Sequence, residues 1–181
     1  MPWPRGRRER RDATGDPSAA TIEALFARCE RSIGRFLVQM VRDRSLAEDL
    51  LQDTFHDAFR ARSQLPASSN PEAWLFGIAR NRALGALRRR RRSAVALARL
   101  PRPRERSERD AQELLALRDL LERHLDPDER ALLLLRYLHG FDAAELAEII
   151  GLTPEAVRQR LSRSRGKLIA ASAPQLTDEE R

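Results

Sequence analysis

Between residues 142 and 168 the chain specifies two helices and the turn that joins them, leaving little freedom to the backbone. Asp142 is a natural helix cap, and Glu145 three residues on completes a capping box. Leu146, Ala147, Ile149 and Ile150 give that helix an apolar side, and Gly151 suits the left-handed residue that ends it. Thr153 then caps a second helix, with Pro154 in its first turn, where no backbone N–H partner is needed. Within it Val157, Leu161, Ser164 and Leu168 recur at helical spacing and form an inward stripe. Glu155, Arg158, Gln159, Ser162 and Arg163 fall on the opposite side. This is the build of a helix-turn-helix whose second helix enters a major groove. The alternative, a helical hairpin with a solvated basic face, has to be decided by the rest of the chain.

The same helical period runs from about Thr21 to Ala171, and no segment alternates as a strand does, so the expected fold class is all-α: two small helical domains joined by a basic linker. A first helix over about 21–42 carries Ile22, Leu25, Phe26, Cys29, Ile33, Phe36, Leu37, Met40 and Val41 on one side, which makes Cys29 a small core residue. Ser45 is the expected cap of a second helix at 46–62. Its apolar side is Leu46, Leu50, Leu51, Thr54, Phe55 and Ala58, and its polar side Asp49, Gln52, Asp53 and His56. A loop at 64–71 leads to a third helix capped by Asn70, running from Glu72 into Arg88–Arg92. A further helical unit starts near Gln112 and carries Leu114, Leu117 and Leu121. Asp126-Pro127-Asp128-Glu129 starts another helix, and His139-Gly140 stops it. The expected domains are a disordered basic tail at 1–18, a first domain at 19–92, a linker at 93–111, the helix-turn-helix domain at 112–171 and a tail at 172–181.

Charge narrows the function. The net charge is +7, and of the 34 basic side chains only Lys167 is lysine. Arginine's planar fork suits phosphates and guanine edges, so the balance favours nucleic acid over a diffuse membrane attraction. The sign nevertheless alternates along the chain. Residues 46–59 hold four acids and no base, whereas 88–110 hold ten arginines against three acids. Residues 126–148 hold six acids and two arginines, and 154–169 five bases and one acid. A non-specific polyanion binder has no use for the acidic blocks, so several partners of different sign are expected. With one cysteine, three scattered histidines and no nucleophile constellation, the sequence points to no catalytic residue, no metal site and no cofactor. It holds no apolar run of membrane-spanning length, and the basic N-terminus is not followed by the apolar stretch of a secretory signal, so a cytoplasmic location is expected.

Two further clusters carry functional alternatives. The ridge of Asp49, Gln52 and Asp53 is either a solvated face or a docking site for a basic helix of a partner. In the third helix Trp74 and Asn81 share a face with Gly77 and Arg88. An aromatic ring gives a base a stacking surface, an amide reads a base edge and arginines hold phosphates. Phe76 and Ile78 in that stretch are read as core. Arg80, Arg82 and the run Arg88–Arg92 are either an ordinary solvated face or a phosphate-binding row.

Taken in order, Ala47-Glu-Asp-Leu-Leu-Gln-Asp-Thr-Phe55, Ala73-Trp-Leu-Phe-Gly-Ile-Ala-Arg-Asn-Arg82, the arginine run, Leu125-Asp-Pro-Asp-Glu-Arg130, Leu135-Arg-Tyr-Leu-His-Gly140 and Val157-Arg-Gln-Arg-Leu-Ser-Arg163 resemble the extracytoplasmic-function sigma factors of bacterial RNA polymerase over about residues 20–170. The resemblance implies a subunit that does no chemistry itself and directs promoter-specific initiation with core polymerase. By that likeness Asp49, Gln52 and Asp53 dock on the clamp helices of the largest polymerase subunit. Trp74, Arg80, Asn81, Arg82 and Arg88 take the melted −10 strand, with the loop 64–71. Glu155, Arg158, Gln159, Ser162 and Arg163 read −35 duplex, with Arg160 and Arg165 on its backbone. The linker resembles the segment threaded into the polymerase cleft, and an anti-sigma factor is a possible further partner. Two positions depart from the family pattern. Trp74 is followed by Leu75, where larger sigma factors carry a second tryptophan, which implies weaker melting and stricter promoter choice. Gly77 stands where an arginine is common, which removes one phosphate contact. The rivals are a sigma-like decoy, which could lose Arg158, Arg163 and the arginine run without penalty, and an ordinary helix-turn-helix regulator, which leaves the acidic and aromatic helices without a role.

Overall fold

In the computed structural model the described residues are 22–62, 70–96 and 119–172, and among them there is helix and no strand. The tails, the loop residues 63–69 and most of the linker lie outside them. Helix α1 (Ile22–Val41) ends at Arg42, whose φ of 53° is left-handed. Asp43 follows in extended conformation and caps α2 (Arg44–Arg60), its carboxylate accepting from the Leu46 amide at 3.0 Å. The cap is thus Asp43 and not Ser45. The tight reversal at Arg42 delivers a carboxylate to the helix start, and Arg90 of α3 holds it there by an ion pair. The Leu46 amide, opposed by burial and helped by Arg90, keeps the Asp43 carboxyl below the usual carboxylate range.

Helix α3 (Pro71–Ala96) starts as its sequence dictates, with the Asn70 side chain accepting from the Glu72 amide at 2.9 Å. It continues four residues past the expected domain end, because Ser-Ala-Val-Ala at 93–96 contains no helix breaker. Helices α1, α2 and α3 pack around Phe36, Leu37, Met40, Leu50, Leu75, Ala79 and Ala83, all essentially without solvent exposure. Phe26 and Phe55 stack at 4.5 Å on the rim of that core.

The second unit begins in helix α4, described over 119–124, and continues through α5 (Pro127–Tyr137), α6 (Ala143–Ile150) and α7 (Pro154–Ser172). Both capping boxes form, Asp126 with Glu129 and Asp142 with Glu145. Gly140 at φ 74° and Gly151 at φ 71° make the two left-handed turns that a side chain would strain. Val157 and Ser164 are fully buried and Leu161 nearly so, which seats α7 on α5 and α6. Lys167 of α7 reinforces the seat by donating to Glu129 of α5 at 2.6 Å.

The two units share one continuous core. Phe76 of α3 lies at their junction, its ring centroid 5.8 Å from Phe36, 4.9 Å from His139 and 5.0 Å from Phe141. Phe76 is therefore core, as the sequence suggested, while Ile78 is half-buried against it.

Candidate nucleic-acid interface

The exposed face of α7 is created by elimination. Burying Val157, Leu161 and Ser164 turns Glu155, Arg158, Gln159, Ser162 and Arg163 to solvent together, with Arg160 and Arg165 beside them. Thr153 fixes the start of this helix, its hydroxyl accepting from the Ala156 amide at 3.2 Å. Glu155 takes the guanidinium of Arg158 one turn on, so the two side chains hold each other on the helix surface. Arg163 reaches back to the Gln159 carbonyl at 3.5 Å. A rigid helix thus presents a carboxylate, an amide, a hydroxyl and several guanidinium groups in one row, the set that hydrogen-bonds base edges and phosphates in a groove.

Helix α3 offers a second surface. Trp74 is half-buried with its ring packed against the core, and Asn81 and Arg88 are exposed two and four turns further along. The neighbouring arginines are more engaged than their sequence suggests. Arg80 is buried, donates to the Asn81 side-chain oxygen at 3.3 Å and pairs with Asp128 of α5. Burial pushes its guanidinium down, and Asp128 opposes that shift. Arg82 donates through Nε to Asp57 at 2.6 Å and lies 3.3 Å from Asp53, which together hold its charge firmly. Only part of this row faces solvent, so the reading of Arg80 and Arg82 as a solvated face is incomplete: both are tied to acids. In the run that follows, Arg90 spends its charge on Asp43 and on the Val41 carbonyl at 3.1 Å. Arg88, Arg89, Arg91 and Arg92 extend outward.

On α2, Asp49 and Gln52 are exposed on one side as the spacing dictates. Asp53 is on the same side but shares Arg82 with Asp57. The ridge is therefore open at its first turn and partly neutralised at its second.

Sequence reasoning missed the residues that join the two units. Arg130, at the head of the Ala131–Leu135 apolar run, is 5 % exposed and donates to the Met40 carbonyl at the end of α1, 2.8 Å away. Burial pushes its guanidinium down, with Glu122 at 3.7 Å opposing the shift. Arg42 donates to Asp119 at 3.0 Å and lies 2.7 Å from Glu122. The Asn70 amide donates to Glu145 at 2.7 Å. The available signal was the surplus of acid at 126–148, which needed a basic partner and found part of it within the chain.

Both halves of the chain match known families. The Sigma-70 region 2 family matches residues 25–93 and the Sigma-70, region 4 family residues 112–168. The RNA polymerase sigma factor CarQ of Myxococcus xanthus is 34 % identical over 157 residues, covering 84 % of this chain and 90 % of its own. The ECF RNA polymerase sigma factor SigC of Mycobacterium tuberculosis is 30 % identical over 158 residues, covering 84 % of each. Among solved structures, CnrH in complex with the cytosolic domain of CnrY aligns with a TM-score of 0.63 at 26 % identity, covering 93 % of this chain and 94 % of that one. The sigma factor RpoE bound to the anti-sigma factor NepR, from Bartonella quintana, shares the fold at a TM-score of 0.66 and 24 % identity, covering 88 % of this chain and 99 % of that one.

Proposed function

Since the chain belongs to the extracytoplasmic-function sigma factors of bacterial RNA polymerase, we propose that it divides promoter recognition between its two halves: α7 reads −35 duplex and α3 captures the melted −10 strand. The coarser role, promoter-specific initiation with RNA polymerase, comes with the family. The chain contributes recognition and no bond-making step. One observation carries the finer reading: the base- and phosphate-reading side chains of α7 emerge together on its solvent side, on a helix that three buried residues hold rigid. Trp74, Asn81 and Arg88 support the second half as a stacking ring, an amide and a phosphate anchor on one side of α3. Asp49 and Gln52, with Asp53, dock the clamp helices of the polymerase. The domain limits proposed are 19–92 and 112–171, and the site of action is the cytoplasm, where the polymerase is. No described helix is long and apolar enough to cross a membrane. Anti-sigma control is a partner relation this family's fold accommodates.

Each contact is modest alone: a good bidentate base contact is worth about 1–3 kcal/mol. By fixing the spacing of two weak readers, the polymerase gains from their effective concentration. The test is run with core polymerase on templates that carry either element singly. Arg158→Ala is expected to weaken −35-dependent binding roughly 5- to 150-fold, matching that range of energies, and to leave −10 strand capture near wild type. Equal losses on both templates would end the division of labour.

A further inference from the structure

Between the start of α2 and the end of α3 lies an open cleft of about 450 Å³. Asp43, Ser45 and Asp49 line it from one side, and Arg89, Arg90 and Ser93 from the other. Arg89 and Arg90 stand four and three residues before Ser93, so one face of α3 carries all three. Both serines are exposed. Arg90 is engaged by Asp43, whereas Arg89 has no acid partner among the described residues.

The sequence that leads to Ser93 sets it apart from the other serines. Arginine fills every position from 88 to 92 before it. Ser45, Ser63 and Ser107 also have an arginine three residues before them, but none has a second arginine two residues before. Guanidinium forks ahead of a hydroxyl are what an acidic substrate groove binds, because each can pair bidentately with a carboxylate. Ser93 also opens the last turn of α3, which holds no basic residue to pair with its final carbonyls. Helix ends fray, and fraying there presents Ser93 in the extended form such a groove takes.

We propose that Ser93 is the acceptor of an arginine-directed, ATP-dependent serine kinase and that the α2–α3 cleft seats the resulting phosphate. In the transfer the Ser93 Oγ attacks the γ-phosphorus of ATP and the bond from that phosphorus to the β–γ bridging oxygen breaks. ADP leaves, and the hydroxyl proton passes to a carboxylate base of the kinase. The new group carries about −1.5 to −2 charge at pH 7 and three acceptor oxygens, enough to engage Arg89 and to compete with Asp43 for Arg90. The negative end of the α3 dipole repels it and the positive start of α2 attracts it, so both helices drive it into the cleft. Drawing Arg89 and Arg90 inward removes two cations from the arginine row. That the row then holds the melted −10 strand less tightly rests on the reading of α3 given above.

Acceptor, seat and consequence are tested separately on the full chain. With ATP and a purified serine kinase that requires arginine two and three residues before its acceptor, phosphopeptide mass spectrometry should find Ser93 modified first. Ser93→Ala should remove most of the incorporated phosphate. No transfer to Ser93, or faster transfer to Ser45, Ser63 or Ser107, would overturn the acceptor. For the seat, Ser93→phosphoserine is made by co-translational incorporation and titrated by ³¹P NMR. The second ionisation of a phosphoserine lies near pH 6. In the folded chain its midpoint should fall at least half a pH unit below that of the same chain in urea, and Arg89→Gln with Arg90→Gln should erase the difference. Equal midpoints in the folded and unfolded chain would overturn the seat. With core polymerase, Ser93→phosphoserine should capture a single-stranded −10 oligonucleotide roughly three- to tenfold more weakly. The salt dependence of capture should flatten by about 1.4, for two contacts at ~0.7 each. Equal capture by the modified and unmodified chains would overturn the consequence. If the unmodified chain captures no strand, the reading of α3 fails and the consequence with it, while the kinase and NMR results still decide the site.

Discussion

Replacing Phe76 by alanine tests whether the two halves are energetically one body. The ring is 1 % exposed and makes three aromatic contacts, one within the first half and two, to His139 and Phe141, within the second. Truncating a buried phenylalanine costs about 3–5 kcal/mol, and these edge contacts place the expected loss near 4. Against a total stability of about 5–15 kcal/mol that is a large share. With a urea dependence of about 2 kcal/mol/M, the midpoint should fall by roughly 2 M. The assay is equilibrium urea unfolding followed by Trp74 fluorescence, in a Trp3→Phe background so that one indole reports, and by circular dichroism at 222 nm. Both signals should move together, because the deleted ring belongs to both cores. Phe55→Ala provides the contrast: Phe55 is half-buried on the rim, stacked on Phe26 at 4.5 Å, and should cost about 1–2 kcal/mol. A Phe76→Ala loss below about 1.5 kcal/mol, or two separate transitions with only one displaced, would refute the reasoning.

Charge reversal at Asp49 should weaken binding to core polymerase while isolated −35 duplex binding persists; unchanged core affinity, measured by competition or fluorescence anisotropy, would remove α2 from the docking surface. Asp49 is the sharper probe because reversal at Asp53 also repels Arg82. Asp43→Asn keeps a competent helix cap but removes the titrating charge and the pairing with Arg90. The Asp43 carboxyl is held below its ordinary range when folded, so its contribution is complete above the unfolded value near 3.8 and is lost as pH falls through the lower folded value. Melting temperatures of wild type and Asp43→Asn should therefore differ most near neutrality and converge as the pH drops below 3.8; a constant gap would contradict this.

What the sequence made legible was local. Asn70, Asp126, Asp142, Thr153 and Gly151 act within four residues of themselves, and each forms the cap or turn its identity requires. The inward stripe of α7 is equally local in origin, so its outward face could be read before any tertiary structure. The Asp43 cap was missed because its selection depends on a left-handed Arg42 and on Arg90, 47 residues away. The joint between halves was missed for the same reason. Arg80 finds Asp128 across 48 residues, Asn70 finds Glu145 across 75 and Arg130 finds Met40 across 90. No periodicity marks such pairs. A buried arginine beside a leucine run looks like any amphipathic residue until its acceptor is known.

Those separations also set an order of events during synthesis. A ribosome adds about 5–20 residues each second, so the 48 residues from Arg80 to Asp128 take roughly 2–10 s. Helices form in about a microsecond and small helical cores within milliseconds. The three-helix unit therefore completes its own packing while the polypeptide that will cover α3 is still being made. For those seconds Arg80 is open to whatever the nascent chain meets, and the order of emergence, N-terminal half first, becomes a property of the molecule as much as any contact within it.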